Sequence, residues 1–373
     1  MTGVFDRTGS VRALAVLRMA LGVVTVAHLA PFLRDARAGI HYDDRFWEPY
    51  WSGLPKIPGS LWALLLWVGA VSAVLMACGI LTRLTTSVTF VVVAGNLLVS
   101  QTHFRHNRTF LAILLFGLAL VPTGRVLSVD AWWRRVRGRP GLADEVLLWP
   151  LYLLRTQVSL VYLASGFSKL VDPDWLGGIV LWDRVVRYRH HLDPTPLPQW
   201  GIDVLTWRPL YLVVAPAAIA TELFVGLGLW SSRTRLAALW LAVVFHLSIE
   251  VSASVEVFSL GAIAALAIWV TPSSRDRVLR LGAGSPAAAL VRALDWFGRF
   301  RIEEVRAGAG DRTPVVVDRD GSVLTGRDAL ELVLTRLPLT FAFAAPVVAA
   351  GALRRRGATG GSPTRDTAAA RTP

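Results

Sequence analysis

A chain in which eight apolar runs follow one another, separated by polar connections, has few folds open to it. A helix that crosses the hydrocarbon core of a bilayer needs roughly 20 mostly apolar residues. Runs of that kind lie near residues 11–33, 60–81, 84–101, 107–122, 148–170, 206–231, 236–252 and 255–272. The second and third are separated by a tight turn around Thr82-Arg83, and Arg233 and Arg235 mark another between the sixth and seventh. A length of 373 residues would otherwise suggest two or three soluble domains, but 54% hydrophobic and only 17% charged residues leave too little polar surface for them. The formal net charge of +13 sits in short blocks between the apolar runs, as in membrane loops, and not on a soluble basic face that would take nucleic acid. The sequence therefore predicts an all-α polytopic membrane protein, a bundle of about eight transmembrane helices with the lipid bilayer as its first partner.

Arginine sets the expected orientation. The connection after the fourth run holds Arg125, Arg134, Arg135, Arg137 and Arg139, and the stretch after the eighth opens with Arg275, Arg277 and Arg280. An even number of spans separates each block from the N-terminus, so the positive-inside rule places both blocks and both termini on the cytoplasmic side of a bacterial plasma membrane. The connections 34–59 and 171–205, rich in Trp, Tyr, Pro and Asp, then fall outside. The opening MTGVFDRTGS lacks a cleavable apolar core, so the first run reads as a retained signal anchor. The spans make up residues 1–272. Residues 273–356 read as a cytoplasmic tail, in which VVVDRDGSVLTGRDALELVL predicts a short hairpin followed by a helix. The segment 337–353, followed by Arg354, Arg355 and Arg356, is expected to lie on or dip into the cytoplasmic face; as a ninth span it would put three arginines outside. Residues 357–373 have the composition of a disordered tail.

Ionisable residues inside spans are costly, and each is a functional candidate against the plainer reading that it closes an interhelical bond. Here they are Arg18, His28, Arg155, Lys169, Glu222 and His246. Of 39 basic residues only Lys56 and Lys169 are lysines, so a lysine at the end of an apolar helix stands out. An arginine stays protonated, whereas a desolvated lysine can lose its proton and act as a base; the alternative is that Lys169 snorkels to the interface. All seven histidines fall in the outer half of this topology: His28 and His246 within spans, and His41, His103, His106, His190 and His191 in loops or at helix ends. Glu250 and Glu256 join them near the outer turn, so a polar cavity opening outward would satisfy the whole set. No metal site is expected, since the histidines lack HxxxH or HxxE spacing. Glu222 lies deeper, and must be protonated or paired, with Arg155 or Arg18 as candidate partners. Cys78 has no second cysteine to pair with and reads as a packing residue.

The order of these residues resembles a known family. The segment LAVLRMALGVV, with Arg18, is similar to the opening helix of the vitamin K-dependent gamma-carboxylases and their bacterial relatives, the HTTM (horizontally transferred transmembrane domain) proteins. HNRTFLAILLFGLALVPTGRVLSVDAWW resembles their "NHxYL…SVD" stretch, through the run Leu127-Ser128-Val129-Asp130. LLRTQVSLVYLASGFSKLVDPDWLGG resembles the most telling block, with Arg155, Gln157, Tyr162, Gly166, Lys169 and Asp174-Trp175 in the family's positions. Glu222 and Phe245-His246, followed by Val257-Phe258-Ser259, complete it. The resemblance implies that Lys169 stands where the carboxylases use a lysine to deprotonate a reduced naphthoquinone. Attack by O2 then yields a strong base that takes a proton from the gamma carbon of a glutamate, and CO2 adds there. It further implies catalytic roles for His246 and His106. It implies a pocket that includes Asn107, Arg155, Gln157, Tyr162, Asp174, Trp175 and Glu222, and a menaquinol-like lipid quinone as cofactor at the outer face. Two departures stand beside it. Asn107 takes the place of the family's histidine, with His106 one position early, and the large extracytoplasmic β-rich domain of the animal enzymes is replaced by a short tail. The tail's DRDGSVLTGRDALELVLTRLP looks like the end of DCC-type thiol oxidoreductase domains without their CxxC. Some bacterial relatives assist maturation of secreted antimicrobial peptides, so a non-catalytic membrane factor that handles a small secreted peptide is the alternative expectation. A transporter is a weaker third, for want of an inverted repeat.

Overall fold

The computed structural model describes residues 6–37, 47–187, 197–253, 257–270, 277–305 and 313–359. The expectations placed on His41, His190, His191, Glu256 and residues 360–373 fall outside these. The chain divides into two compact units, Met1–Ser274 and Arg275–Pro373.

In the first unit a short strand β1 (Thr8–Ser10) leads into α1 (Arg12–Arg37), followed by α2 (Gly59–Cys78), α3 (Thr82–Leu98) and α4 (His106–Ala119). A short helix α5 (Val129–Val136) and strand β2 (Glu145–Leu147) precede α6 (Trp149–Leu170). Three short helices come next, α7 (Pro173–Leu176), α8 (Ile179–Arg187) and α9 (Gln199–Thr206), and then α10 (Tyr211–Gly228), α11 (Arg235–Ala253) and α12 (Phe258–Ala265). A helix thus stands at each of the eight apolar runs. Among the described residues three are long and apolar enough to cross a membrane: Arg12–Ala36, Gly59–Cys78, and α10 taken with the 3-10 turn before it, Arg208–Gly228. α6 is 22 residues long but carries Arg155 and Lys169. α12 runs for only eight residues and finishes as a 3-10 turn, Leu266–Trp269, just ahead of the chain-breaking Pro272.

The first unit is apolar both in its core and over much of its outer surface. Leu14, Leu17, Leu21, Leu66, Met76, Leu114, Leu115, Leu118 and Leu151 are completely enclosed. Yet Leu61, Leu64, Trp67, Val71 and Val74 on one face of α2 are exposed, as are Leu212, Val213 and Leu227 on α10. An unbroken apolar face of that extent would drive aggregation in water and is stable against lipid tails. The first unit is that of a membrane protein.

Its helices alternate direction, which gathers the connections at two ends. At one end β1 pairs antiparallel with β2, Gly9 opposite Val146. Beside them the α2–α3 turn is locked to α5: the Asp130 carboxylate accepts from the backbone N–H groups of Leu81 and Thr82 at 2.9 Å each and from the Thr82 hydroxyl at 2.7 Å. That turn spans Gly79–Leu81, a little ahead of the predicted position, and Leu81 takes a left-handed φ of 46°. The α10–α11 turn forms where the arginines predict it, with Arg235 Nε donating to the Leu229 carbonyl at 2.9 Å. At the other end Glu48 N–H donates to Ser100 Oγ and Gln101 N–H to the Glu48 carbonyl, tying the connection after α1 to that after α3. The described residues of the stretch 171–205, predicted as a loop, instead form α7–α9, and Val185 of α8 and Ile202 of α9 share a small core with Tyr211 of α10.

The second unit is a four-stranded sheet with helices. β3 (Arg277–Gly282), α13 (Pro286–Leu294) and β4 (Phe300–Val305) form a parallel βαβ, and β5 (Val315–Val317), β6 (Val323–Thr325) and α14 (Gly326–Leu334) follow. Strand order is β4-β3-β5-β6, with β5 antiparallel to both its neighbours. The predicted hairpin and helix are β5, β6 and α14; the βαβ before them was not legible. α15 (Pro338–Thr359) closes the unit, with Pro346 inside it.

Candidate functional site

Helix α6 carries a polar stripe along an otherwise apolar helix. Arg155, Ser159, Tyr162, Ser165 and Lys169 recur at steps of three or four residues, which brings them to one side. Each meets a different part of the bundle. Arg155 Nε donates to the Ile268 carbonyl at 2.9 Å, and its guanidinium lies over the Trp269 ring at 5.2 Å. Ser159 Oγ accepts from Trp230 Nε1 at 2.8 Å. Tyr162 Oη and His246 Nε2 are 2.7 Å apart. Ser165 and Lys169 reach Glu222 on α10.

The partner of Glu222 corrects the expected one. Its Oε1 lies 2.6 Å from Lys169 Nζ, and neither Arg155 nor Arg18 pairs with it. The cause is helix register. α6 and α10 run antiparallel, so residues near Ser165 face Glu222 and Ser159 faces Trp230. Arg155 lies 14 residues before Lys169, about 21 Å along the axis at the rise of an α-helix. Arg18 is fully enclosed at the β1–β2 end, where it donates to the carbonyls of Thr123 and Leu127. It staples the α4–α5 connection against α1, a structural role.

Two glycines bring α6 and α10 close enough for the pair to form. A Cβ on Gly166 would meet Leu223 Cδ2 at 2.7 Å, and one on Gly226 would meet Leu163 at 2.8 Å. Small residues at such crossings are how membrane helices approach closely.

Around the pair the contacts are few and specific. Ser165 Oγ accepts from Lys169 Nζ at 3.0 Å and donates to Glu222 Oε1 at 3.0 Å, closing a three-membered ring of polar groups. The Trp175 ring sits 4.7 Å from Nζ. Lys169 is only 16% exposed, so it points inward and does not snorkel. Trp175 is delivered by α7, whose first turn is capped by Asp172: its carboxylate accepts from the N–H groups of Asp174 and Trp175. Asp174 itself is exposed, so the acidic residue that builds this turn is Asp172.

His246 occupies an aromatic box, with its ring 5.4 Å from Phe245, 5.6 Å from Phe258 and 5.8 Å from Tyr162. Phe258 in turn meets Phe110 of α4 at 5.9 Å. Among the described residues, His246 Nδ1, Glu222 Oε2 and Glu250 Oε2 are buried without a hydrogen-bond partner. Buried polar atoms are nearly always satisfied, so orphans on two neighbouring groups of one cluster point to an occupant.

The remaining expected residues lie apart. His106 is exposed at the start of α4, its ring 5.4 Å from Phe104, and no described contact joins it or the half-buried Asn107 to the Lys169 group. Gln157 is half-buried on the flank of α6. Sequence reasoning overlooked Ser165, whose only visible sign was its place one turn before Lys169. It also gave no role to His103 beyond sidedness. That ring is buried, with Nδ1 3.2 Å from the Asn96 carbonyl, and Arg108 stacks over the neighbouring Phe32 at 4.6 Å. Among the described residues no group of three or more His, Cys, Asp or Glu side chains is placed to hold a metal ion.

No curated protein matches this chain, and no solved structure does. One family model does match, that of the HTTM domain, over residues 7–273, which takes in every helix from α1 to α12 and the whole Lys169–Glu222 site. The chain therefore belongs to the HTTM-domain family.

Proposed function

We propose that this chain is a carboxylase-like, multi-pass enzyme of a bacterial plasma membrane, with about eight spans and both termini in the cytoplasm. It acts at the outer face on a reduced lipid quinone of the menaquinol type, with O2 and CO2 as co-substrates. One observation carries the reading: a lysine, in a chain with only one other, is turned inward onto a buried glutamate at 2.6 Å.

The residues present fit an aromatic diol. Glu222 Oε2 and His246 Nδ1 are unused polar atoms, and Trp175, Phe245 and Phe258 supply apolar ring faces beside them. When bound, the quinol supplies the reducing power for O2 chemistry that no side chain here possesses. The protein's part is proton handling. Lys169 would accept a proton from a quinol hydroxyl, and Glu222, 2.6 Å away, would hold the resulting ammonium in place. Ser165 keeps both groups in line. Tyr162 fixes the ring of His246 through Nε2, which leaves Nδ1 to hydrogen-bond the bound molecule.

The test is to reconstitute the wild-type chain and Lys169→Ala with menaquinol under O2 and measure quinone epoxide. Wild type should turn over, and the variant should fall by about 10²–10⁴-fold, the usual worth of a positioned base. Equal rates in both proteins would remove Lys169 from the mechanism. No epoxide in either would turn the reading to the non-catalytic peptide-maturation factor.

A further inference from the structure

The eight residues of α5, Val129–Val136, form an amphipathic helix whose apolar stripe faces away from the protein. Val129, Trp132, Trp133 and Val136 recur at i, i+3, i+4 and i+7, the spacing of one helix face. In a soluble protein that face would be covered by the core. Here all four are exposed, Trp132 at 53% and Trp133 at 47%, and no residue of the helix is buried.

The helix is also cationic. Arg134 and Arg135 lie within it, Arg137 caps it and Arg139 follows. Among the described residues none of these four forms an ion pair with a carboxylate. Asp130, the acid of this helix, is committed to Leu81 and Thr82, so it neutralises none of them. The Arg137 guanidinium lies 4.6 Å from the Trp133 ring centroid, so one cation sits over the edge of the aromatic stripe.

Position supplies the last element. Through Asp130 and the Gly79 carbonyl, which accepts from Asp130 N–H at 3.0 Å, α5 is fastened to the end of α2, a helix long enough to cross a membrane. The end of such a helix lies at the headgroup layer. A helix held there, with two tryptophans on one side and uncompensated arginines beside them, matches an interface that is apolar below and anionic at its surface.

We infer that α5 is an interfacial helix that binds anionic phospholipid headgroups, its Val–Trp stripe inserted beneath them and Arg134, Arg135, Arg137 and Arg139 on their phosphates. The occupant is lipid and not a second copy of this chain, because a second α5 would bring like charges face to face. The inference does not depend on any enzymatic activity.

The full-length protein in mild detergent, incubated with a mixture of phosphatidylglycerol and phosphatidylcholine, is repurified and its retained lipid counted. Wild type should keep phosphatidylglycerol over phosphatidylcholine. The quadruple Arg→Gln variant at 134, 135, 137 and 139 should lose at least about ten-fold, since each arginine near an anionic surface is worth roughly five-fold. Trp132→Ser with Trp133→Ser should weaken retention of both lipids. A control with Arg280, Arg292, Arg301 and Arg327 changed to Gln removes the same charge from the second unit and should bind as wild type. Monodisperse elution and unchanged melting verify that the variants fold. Undiminished phosphatidylglycerol retention in the α5 quadruple variant would overturn the inference, as would equal retention of the two lipids by wild type. So would a wild-type dimer that the Trp variant dissolves with lipid retention unchanged, because the stripe would then belong to a second copy.

Discussion

Lys169 and arginine are both cations of similar reach, and the difference between them decides what position 169 does. A guanidinium would satisfy Glu222 at least as well as the ammonium does, with a bidentate fork in place of a single donor. It would never release its proton in this setting. Lys169→Arg should therefore keep thermal stability within about 1 kcal/mol of wild type, because no charge is left unpaired, while quinol epoxidation disappears. A variant as stable as wild type and still active would show that the position needs only a positive charge. Lys169 was visible in the sequence because lysine is so scarce in this chain. Its partner was not. Which of three cations meets Glu222 depends on how α6 and α10 slide past each other, and that is set by the close packing at Gly166 and Gly226. Nothing in either helix alone states that register. Ser165 was hidden for a plainer reason: a serine in an apolar helix commonly bonds its own backbone, and only Glu222 opposite makes this one a bridge.

At the level of elements, the apolar period placed the long helices well, while the short ones depend on contacts. α5, α7, α8 and α9 are eight, four, nine and eight residues long, below the length at which a helix forms by itself. They exist because side chains and backbone elsewhere hold them. Gly178, between α7 and α8, shows how tightly. Its φ is +71°, and a Cβ there would come within 2.5 Å of the Tyr211 carbonyl oxygen at the start of α10. Gly178→Ala thus meets both a left-handed backbone penalty, about 1–2 kcal/mol, and a clash with main chain that cannot swing aside. The expected result is a loss of at least about 2 kcal/mol in thermal or denaturant unfolding and a shift of α7 that pulls Trp175 off Lys169. Tryptophan fluorescence quenching by a soluble quencher should rise in the variant. Unchanged melting and quenching would mean that the α7–α9 segment is not fastened to α10 through this contact.

At the scale of the whole molecule, the apolar runs sort the connections of the first unit into two groups. The structure gathers β1, β2, the α2–α3 turn and α5 at one end of the first unit and α7–α9 at the other. The block Arg125, Arg134, Arg135, Arg137 and Arg139 belongs to the first end, and Lys169 lies toward the second, at the C-terminus of α6. Parity alone fixed these ends relative to one another, because each apolar helix reverses the chain; which end faces the cytoplasm rests on the charge rule. Cys78 makes the question accessible. It is the only cysteine, so Cys78→Ser gives a thiol-free background into which one reporter is placed at a time. Asp183→Cys in α8 and Arg139→Cys after α5 sit at opposite ends, the first half-exposed and the second exposed. In intact cells a membrane-impermeant maleimide should label the thiol at 183 directly and the thiol at 139 only after the membrane is opened. The reverse pattern would invert the molecule and put the Lys169 site on the cytoplasmic side. Labelling of both positions from the same side would mean an even number of crossings between α5 and α8, so that α6 is not the single span between them. The expected pattern keeps α6 as the helix that carries its polar stripe from the arginine-rich face to the site.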